Sequence, residues 1–183
     1  MLTLQPSFTH PLVNLRPLHR DDWAALYAVA RDPLIWAVHP AHDRWQEPVF
    51  RRFFDDAVAS GGALIAIDPA TDNIIGSSRF DTARAEPGEI EVGWTFLARS
   101  YWGCSINPAM KSLMLRHALN HFDRVIFLVG ENNIRSRRAM EKIGGQLTPR
   151  EHFSILAGTQ VRSVIYAIDR ACFASGPLAQ HDC

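Results

Sequence analysis

Cysteine, charge of one sign and long apolar runs are all scarce in this sequence, and each scarcity excludes something. Only three cysteines occur in 183 residues, Cys104, Cys172 and Cys183, an odd and scattered set without a CxxC pair. Such a set predicts neither a disulfide framework nor a structural zinc site, and it suits a reducing cytoplasm. The 19 basic residues balance 19 acidic ones. No global field therefore draws in nucleic acid, an acidic membrane or a polyanion, and any anion site has to be local. No apolar run approaches the roughly 20 residues that span a bilayer, and the opening MLTLQPSFTHPLVNLRPLH has no basic stretch followed by an apolar one, so neither a membrane anchor nor an export signal is predicted. What is present is the composition of a globular domain, 47% hydrophobic and 21% charged, and the length predicts one domain over residues 1–183.

Periodicity divides the chain. Val13 to Leu18 reads as a first strand. Asp21 then caps a helix in which Trp23, Leu26, Tyr27 and Ala30 recur at helical spacing, and Pro33 ends it. After the stretch PLIWAVHPAHDRW, Pro48 opens a second helix that turns Val49, Phe50, Phe53, Phe54 and Ala57 inward and stops at Gly61-Gly62. Three strands follow, Ala63–Asp68, Ile74–Asp81 and Glu89–Leu97, separated by turn signals, which makes them an antiparallel meander. In the third, Ile90, Val92, Trp94 and Phe96 alternate with Glu89, Glu91, Gly93 and Thr95, so one face is expected to carry the aromatics and the other the glutamates. A helix over Ser105–Phe122, an apolar strand over Arg124–Val129, a helix over Ile134–Ile143 and two strands over Gln146–Phe153 and Arg162–Asp169 complete the series. The order predicts an α/β (α+β) fold, a mixed sheet with helices on both faces.

The segment LARSYWGCSINPAM, residues 97–110, leads from a strand through a short loop into a helix. Unpaired amides converge in that geometry and the helix macrodipole favours a negative group, so a pyrophosphate is a natural guest. The same residues also fit a tight turn with Asn107 as N-cap and Pro108 in the first helical position. Cys104 lacks the His and Asn or Asp partners of a thiol nucleophile. His117 and His121, four apart, have no HExxH context, and His39 and His42 have no third ligand close by, so no metal site is predicted.

Taken together, the order of elements and two motifs resemble the GNAT acetyl-CoA-dependent N-acyltransferases. The family's loop signature Q/R-x-x-G-x-G/A corresponds to Ser100-Tyr101-Trp102-Gly103-Cys104-Ser105, which departs from it at the first and last positions. The run YWG before a helix is similar to the branch that includes the ribosomal-protein N-terminal acetyltransferases, and EVGWTFL with Asn107 and Lys111 is similar to a smaller subgroup. A second signature, N-x-x-S-x-x-x-x-E-K-x-G, is intact as Asn133, Ser136, Glu141, Lys142 and Gly144. The resemblance covers about residues 13–169. It implies a mostly antiparallel seven-stranded sheet, splayed between strands four and five and flanked by about four helices, with acetyl-CoA as co-substrate. Trp102, Gly103, Cys104, Ser105, Ile106 and Asn107 would cradle the pyrophosphate, while Trp94, Thr95, Phe96 and Leu97 would face the pantetheine. Asn133 would be a cofactor contact or a helix cap, and Arg138 or Arg137 would meet the 3′-phosphate or form a solvated face. Trp36 and His39, in the loop between the first two helices, would line the acceptor pocket, the other reading being that Trp36 and Trp45 are core anchors.

An ammonium of pKa about 10 must lose a proton before it can attack a thioester, and the leaving thiolate gains from a donor. Glu91 matches the glutamate of the family's E-I-G-W stretch and is the first candidate for base and acceptor contact, with Glu89 behind it; the other reading is an ion pair. Ser136 would donate to the leaving sulfur or be a small residue near the cofactor. Met140 stands where many relatives carry a tyrosine. The expected activity is transfer of an acetyl group from acetyl-CoA to a protein N-terminal α-amine or a small-molecule amine in a ternary complex, the alternative being a catalytically weak CoA-binding regulatory module. No nucleic-acid or membrane partner is expected, and a symmetric dimer is the default assembly.

Overall fold

Seven strands form one sheet in the order β1-β2-β3-β4-β5-β7-β6. In this computed structural model, which describes residues 3–156 and 158–180 and so leaves Cys183 outside, the elements run β1 (Asn14–Pro17), α1 (Trp23–Ala30), α2 (Pro33–Trp36), α3 (Glu47–Ser60), β2 (Ala63–Asp68), β3 (Asn73–Asp81), β4 (Glu89–Leu97), α4 (Ile106–Leu119), β5 (Arg124–Gly130), α5 (Ile134–Lys142), β6 (Gln146–Leu156), β7 (Thr159–Asp169) and α6 (Arg170–Ser175). Every neighbouring pair is antiparallel except β4 and β5. That exception has a cause in the chain, since the crossover through α4 returns the backbone to the edge it left and so permits parallel pairing.

Two apolar layers cover the sheet. On one face Leu26, Phe50, Phe53, Phe54 and Ala57 from α1 and α3 pack against Ile65 and Phe96. On the other, Met110, Met114, Leu115 and Ala118 of α4 pack against Leu64, Phe80, Ile90 and Val92. At about 25 cal/mol per Å² of apolar surface removed from water, these layers supply the main drive for folding.

The structure departs from the sequence expectations in instructive places. Pro33 does more than stop α1: Asp32 accepts a hydrogen bond from the Leu34 amide at 3.0 Å, so the proline opens the one-turn α2. Likewise Asp169 accepts from the Cys172 amide at 2.8 Å and caps the unforeseen α6. Helix α4 begins at Ile106, one residue before the anticipated Asn107 cap, with Ser105 at the cap position and no side-chain cap bond. The largest difference concerns β4. Its two faces do not alternate to the end, because Trp94 and Thr95 together oppose the single residue Ser78 of β3 in a β-bulge. The extra residue exchanges the faces: Trp94 and Phe96 join Glu91 on the α1–α3 side, and Thr95 joins Val92 on the α4 side.

Candidate active site

Strands β4 and β5 pair only through Glu89–Arg124, Ile90–Val125 and Glu91–Ile126. Beyond Glu91 they separate, and the bulge lies at the point of separation. Two adjoining cavities occupy the opening. The outer one, about 190 Å³, is lined by Trp36, His39, Thr95, Phe96, Leu97, Tyr101, Trp102, Gly103, Asn107, Asn133, Arg135 and Ser136 among others. The deeper one, about 160 Å³, shares His39, Thr95, Asn107, Asn133 and Ser136 with it and adds Gly93, Trp94, Lys111, Phe127 and Met140. One continuous cleft thus runs from the start of α4 to the bulge.

Most of the residues expected around a cofactor line this cleft: Trp94, Thr95, Phe96, Leu97, Trp102, Gly103, Asn107, Asn133 and Ser136. Gly103 has φ +74°, a conformation costly for other residues, and a Cβ there would meet nothing within 4 Å. The space beside it is therefore open to a group approaching the backbone amides of the first turn of α4. Cys104, Ser105, Ile106 and Arg138 line neither cavity. Cys104 is exposed and its thiol donates to the Tyr101 carbonyl at 3.0 Å, and Ile106 packs against the α4 core. Arg135 does line the outer cavity: its guanidinium lies 4.1 Å over the Trp102 ring and donates to the Ile35 carbonyl at 2.8 Å. Arg137 is turned away toward the Tyr166 hydroxyl and the Glu131 carbonyl.

The α5 end of the cleft is fixed by Asn133, 3% exposed, whose side chain accepts from the Ser136 amide at 3.2 Å. It is at once a helix cap and a cleft residue. Trp36, 1% exposed, donates from Nε1 to the Ala30 carbonyl at 2.7 Å and is a core anchor that shows one side to the outer cavity. His39 accepts from the Ala41 amide through Nδ1, and burial with Arg44 and Arg135 nearby pushes its pKa down to about 3, so it faces the cleft as a neutral imidazole.

Glu91 lines neither cavity directly. It is 1% exposed and bound on both carboxylate oxygens by Arg84, at 2.6 and 2.9 Å. Burial raises its pKa to about 7 against the opposing pull of Arg84. The carboxylate lies against the backbone of Gly93, where a Cβ would come within 2.7 Å of Oε1. Gly93 thus brings Glu91 to the edge of the deeper cavity. Glu89 is engaged elsewhere, accepting from Arg150 at 2.8 and 3.0 Å and from Arg124 at 3.4 Å, and it ties β4 to β5 and β6.

Two basic residues that the sequence did not single out as site groups stand on opposite faces of the bulge. Lys111, 2% exposed, donates to Thr95 Oγ1 at 2.6 Å and to Ser78 Oγ at 3.5 Å, and burial lowers its pKa to about 7. Arg79 lies on the Glu91 face, opposite Gly93. Their signals are a polar residue within an otherwise apolar helix stripe and an arginine within a buried strand. Among the described residues no three His, Cys, Asp or Glu side chains gather as metal ligands, and no helix is long and apolar enough to cross a membrane.

A splayed parallel strand pair with a glycine-led helix start at its mouth is the architecture of an acyl-CoA-dependent transferase. A family model described as acetyltransferase (GNAT) domain matches residues 13–146, and the chain belongs to this family. The family carries out acetyl transfer with acetyl-CoA as co-substrate. Solved structures agree on the fold. A GCN5-related N-acetyltransferase from Brucella melitensis aligns at TM-score 0.78 and 19% identity, covering 96% of this chain and 83% of that one. A GNAT-family acetyltransferase from Bacillus anthracis aligns at 0.72 and 17%, covering 90% and 98%. A ribosomal-protein-S5-alanine acetyltransferase from Vibrio fischeri aligns at 0.66 and 15%, covering 90% and 96%. No curated protein matches the sequence.

Proposed function

We propose that this protein is a cytoplasmic enzyme, one catalytic domain over its length, that moves the acetyl group of acetyl-CoA to a primary amine by direct attack in a ternary complex. The observation that carries the reading is the cleft itself, which joins the Gly103 loop to the bulge and sets Glu91 behind Gly93 at its inner end. The pyrophosphate is met by the amides at the start of α4 and by Gly103, with Arg135, which lines the outer cavity, and Arg138 as candidates for the remaining phosphate. The pantetheine lies along Thr95 to Leu97.

In the chemical step the ammonium gives a proton to Glu91 through a water. The free amine forms the C–N bond as the C–S bond breaks, and the thiolate takes up a proton with Ser136 as hydrogen-bond donor. A carboxylate that titrates near pH 7 is well matched to this task. The acceptor is a small-molecule amine or a protein α-amine. Glu91→Gln is expected to lower kcat by about 100- to 10,000-fold, the usual range for a positioned base, and to abolish the rise in rate toward pH 7 while CoA still binds. A second reading, a CoA-binding regulatory module, draws on Met140 in the tyrosine position and on the Arg84 clamp of Glu91. It predicts CoA binding without amine-dependent thiol release, and an unaltered Glu91→Gln variant.

A further inference from the structure

Among the described residues, no side chain or carbonyl hydrogen-bonds the Nε or Nη2 of the buried Arg79, which is 6% exposed. Its guanidinium instead rests on rings, 4.5 Å from the centre of Trp94 and 5.8 Å from that of Phe53. Arg44, from the segment between α2 and α3, lies 4.5 Å over the same Phe53 ring. Arg84 also stacks on Trp94 at 4.5 Å, but it is taken up by Glu91. Asp81, Asp56 and Glu91 favour the Arg79 charge only through space, and Arg84 opposes it.

An amine in this position could shed its proton; a guanidinium cannot, so two of its donors stay charged and unsatisfied. Ring contact offsets only part of that loss. The missing partner is an anion with two acceptor oxygens side by side, because the Nε–Nη2 edge is one fork of the guanidinium and a carboxylate fits it bidentately. Its place is set by the sheet. Arg79 opposes Gly93, and Glu91 is its diagonal neighbour on the same face, a separation of about 7–8 Å between backbones. A ligand with its amine and carboxylate on one carbon would lie between the two side chains. Trp94 lines the deeper cavity and stacks on Arg79, which itself lines neither cavity, so a carboxylate would reach the guanidinium past the indole.

We propose that the acceptor is a small amine bearing an adjacent carboxylate, an α-amino acid or a close analogue, whose carboxylate is held by the Nε–Nη2 edge of Arg79 with Arg44 as the second cation. This rests on the acetyltransferase reading and narrows it, since polyamines and aminoglycosides bring further positive charge toward Arg79 and Arg44.

The test uses the full chain with acetyl-CoA and the common L-α-amino acids, each paired with its α-carboxamide, plus spermidine, reading thiol release and product mass. At least one amino acid should be used tenfold or more better, in kcat/KM, than its carboxamide. Arg79→Gln should bring that ratio within twofold of unity by slowing the acid alone, with CoA affinity unchanged, and Arg79→Lys should restore part of it. Carboxamides or spermidine used as well as the acids would overturn the inference and leave the acetyltransferase standing; so would an Arg79→Gln variant that slows acid and carboxamide equally. Silence with every amine overturns both. Should Arg79→Gln fail to bind CoA, the acid-to-carboxamide ratio of the unsubstituted protein decides the matter.

Discussion

The two faces of the β4 bulge each bury a basic group, and they answer burial in different ways. On the α4 face, Lys111 donates to the hydroxyls of Thr95 and Ser78, and its Nζ lies 5.6 Å from the centre of the Phe127 ring. It meets the loss of water by giving up affinity for its proton, its pKa falling to about 7. On the α1–α3 face Arg79 and Arg84 have no such recourse. Arg84 pairs with Glu91, and Arg79 is left on aromatic rings with two donors unused. A buried amine is thus self-sufficient, whereas a buried guanidinium needs an anion, either from the chain or from a ligand. The face with the surplus guanidinium is the one on which the structure asks for a charged guest.

The sharpest way to break this contrast is to remove the anion's partner. Arg84→Met leaves the Glu91 carboxylate, 1% exposed, without either of its hydrogen bonds. Stranding one member of a buried pair costs about 3–5 kcal/mol. The loss depends on pH with a definite sign. Because the folded-state pKa of Glu91 is raised to about 7, its contribution is fully present below its ordinary value of 4.5 and is lost as pH rises through about 7. Urea unfolding should therefore show Arg84→Met far weaker than the parent at pH 8 and much closer to it at pH 5, with Glu91→Gln in the same chain recovering most of the difference at pH 8. Equal losses at both pH values would mean that the pair does not control the Glu91 charge.

The second prediction concerns the other face and runs in the opposite direction. The folded pKa of Lys111 is lowered to about 7 from its ordinary 10.5, so its contribution is present above 10.5 and is lost as pH falls through about 7. A shift of that size corresponds to a loss of up to about 4 kcal/mol between pH 10.5 and pH 7. Lys111→Met keeps the shape of the stem and removes the titration. Its stability should lie close to that of the parent near pH 10 and above it at pH 7, measured by denaturant midpoints across that range. A parallel pH dependence in parent and variant would show that Lys111 stays charged when buried.

How much of this could be seen in the sequence depends on whether a feature is local. The bounds of β2 and β4, the apolar stripe of α3 and the buried run of β5 follow from period and turn residues, which act within a few positions of one another. The Gly103 loop and the Asn133–Ser136 cap were legible for the same reason. The bulge was not. It is a mismatch of one residue between β3 and β4, so the string EVGWTFL alternates cleanly while the strand it forms does not. The same non-local register decides that Trp94 stacks on Arg79 and Arg84, and that Thr95 meets Lys111. Helix spacing alone does not show which arginine of α5 faces Trp102, and the one that does is Arg135.

The smallest effect comes from the contact that joins Lys111 to the bulge. Thr95 Oγ1 accepts from Lys111 Nζ at 2.6 Å and exchanges a hydrogen bond with Ser78 Oγ at 2.8 Å. Thr95→Val keeps the branched shape that suits a strand and removes the hydroxyl, leaving the amine with Ser78 alone at 3.5 Å. A hydrogen bond to a charged donor contributes about 1.5–3 kcal/mol and one to a neutral donor about 0.5–1.5 kcal/mol. The substitution should therefore cost about 2 kcal/mol at pH 6, where Lys111 is charged, and about 1 kcal/mol at pH 9, where it is neutral. Thr95→Ser retains the acceptor and should show no such dependence on pH. If the two variants differ from the parent by the same amount at both pH values, Thr95 supports the bulge through packing, and the amine on this face has no partner that senses its charge.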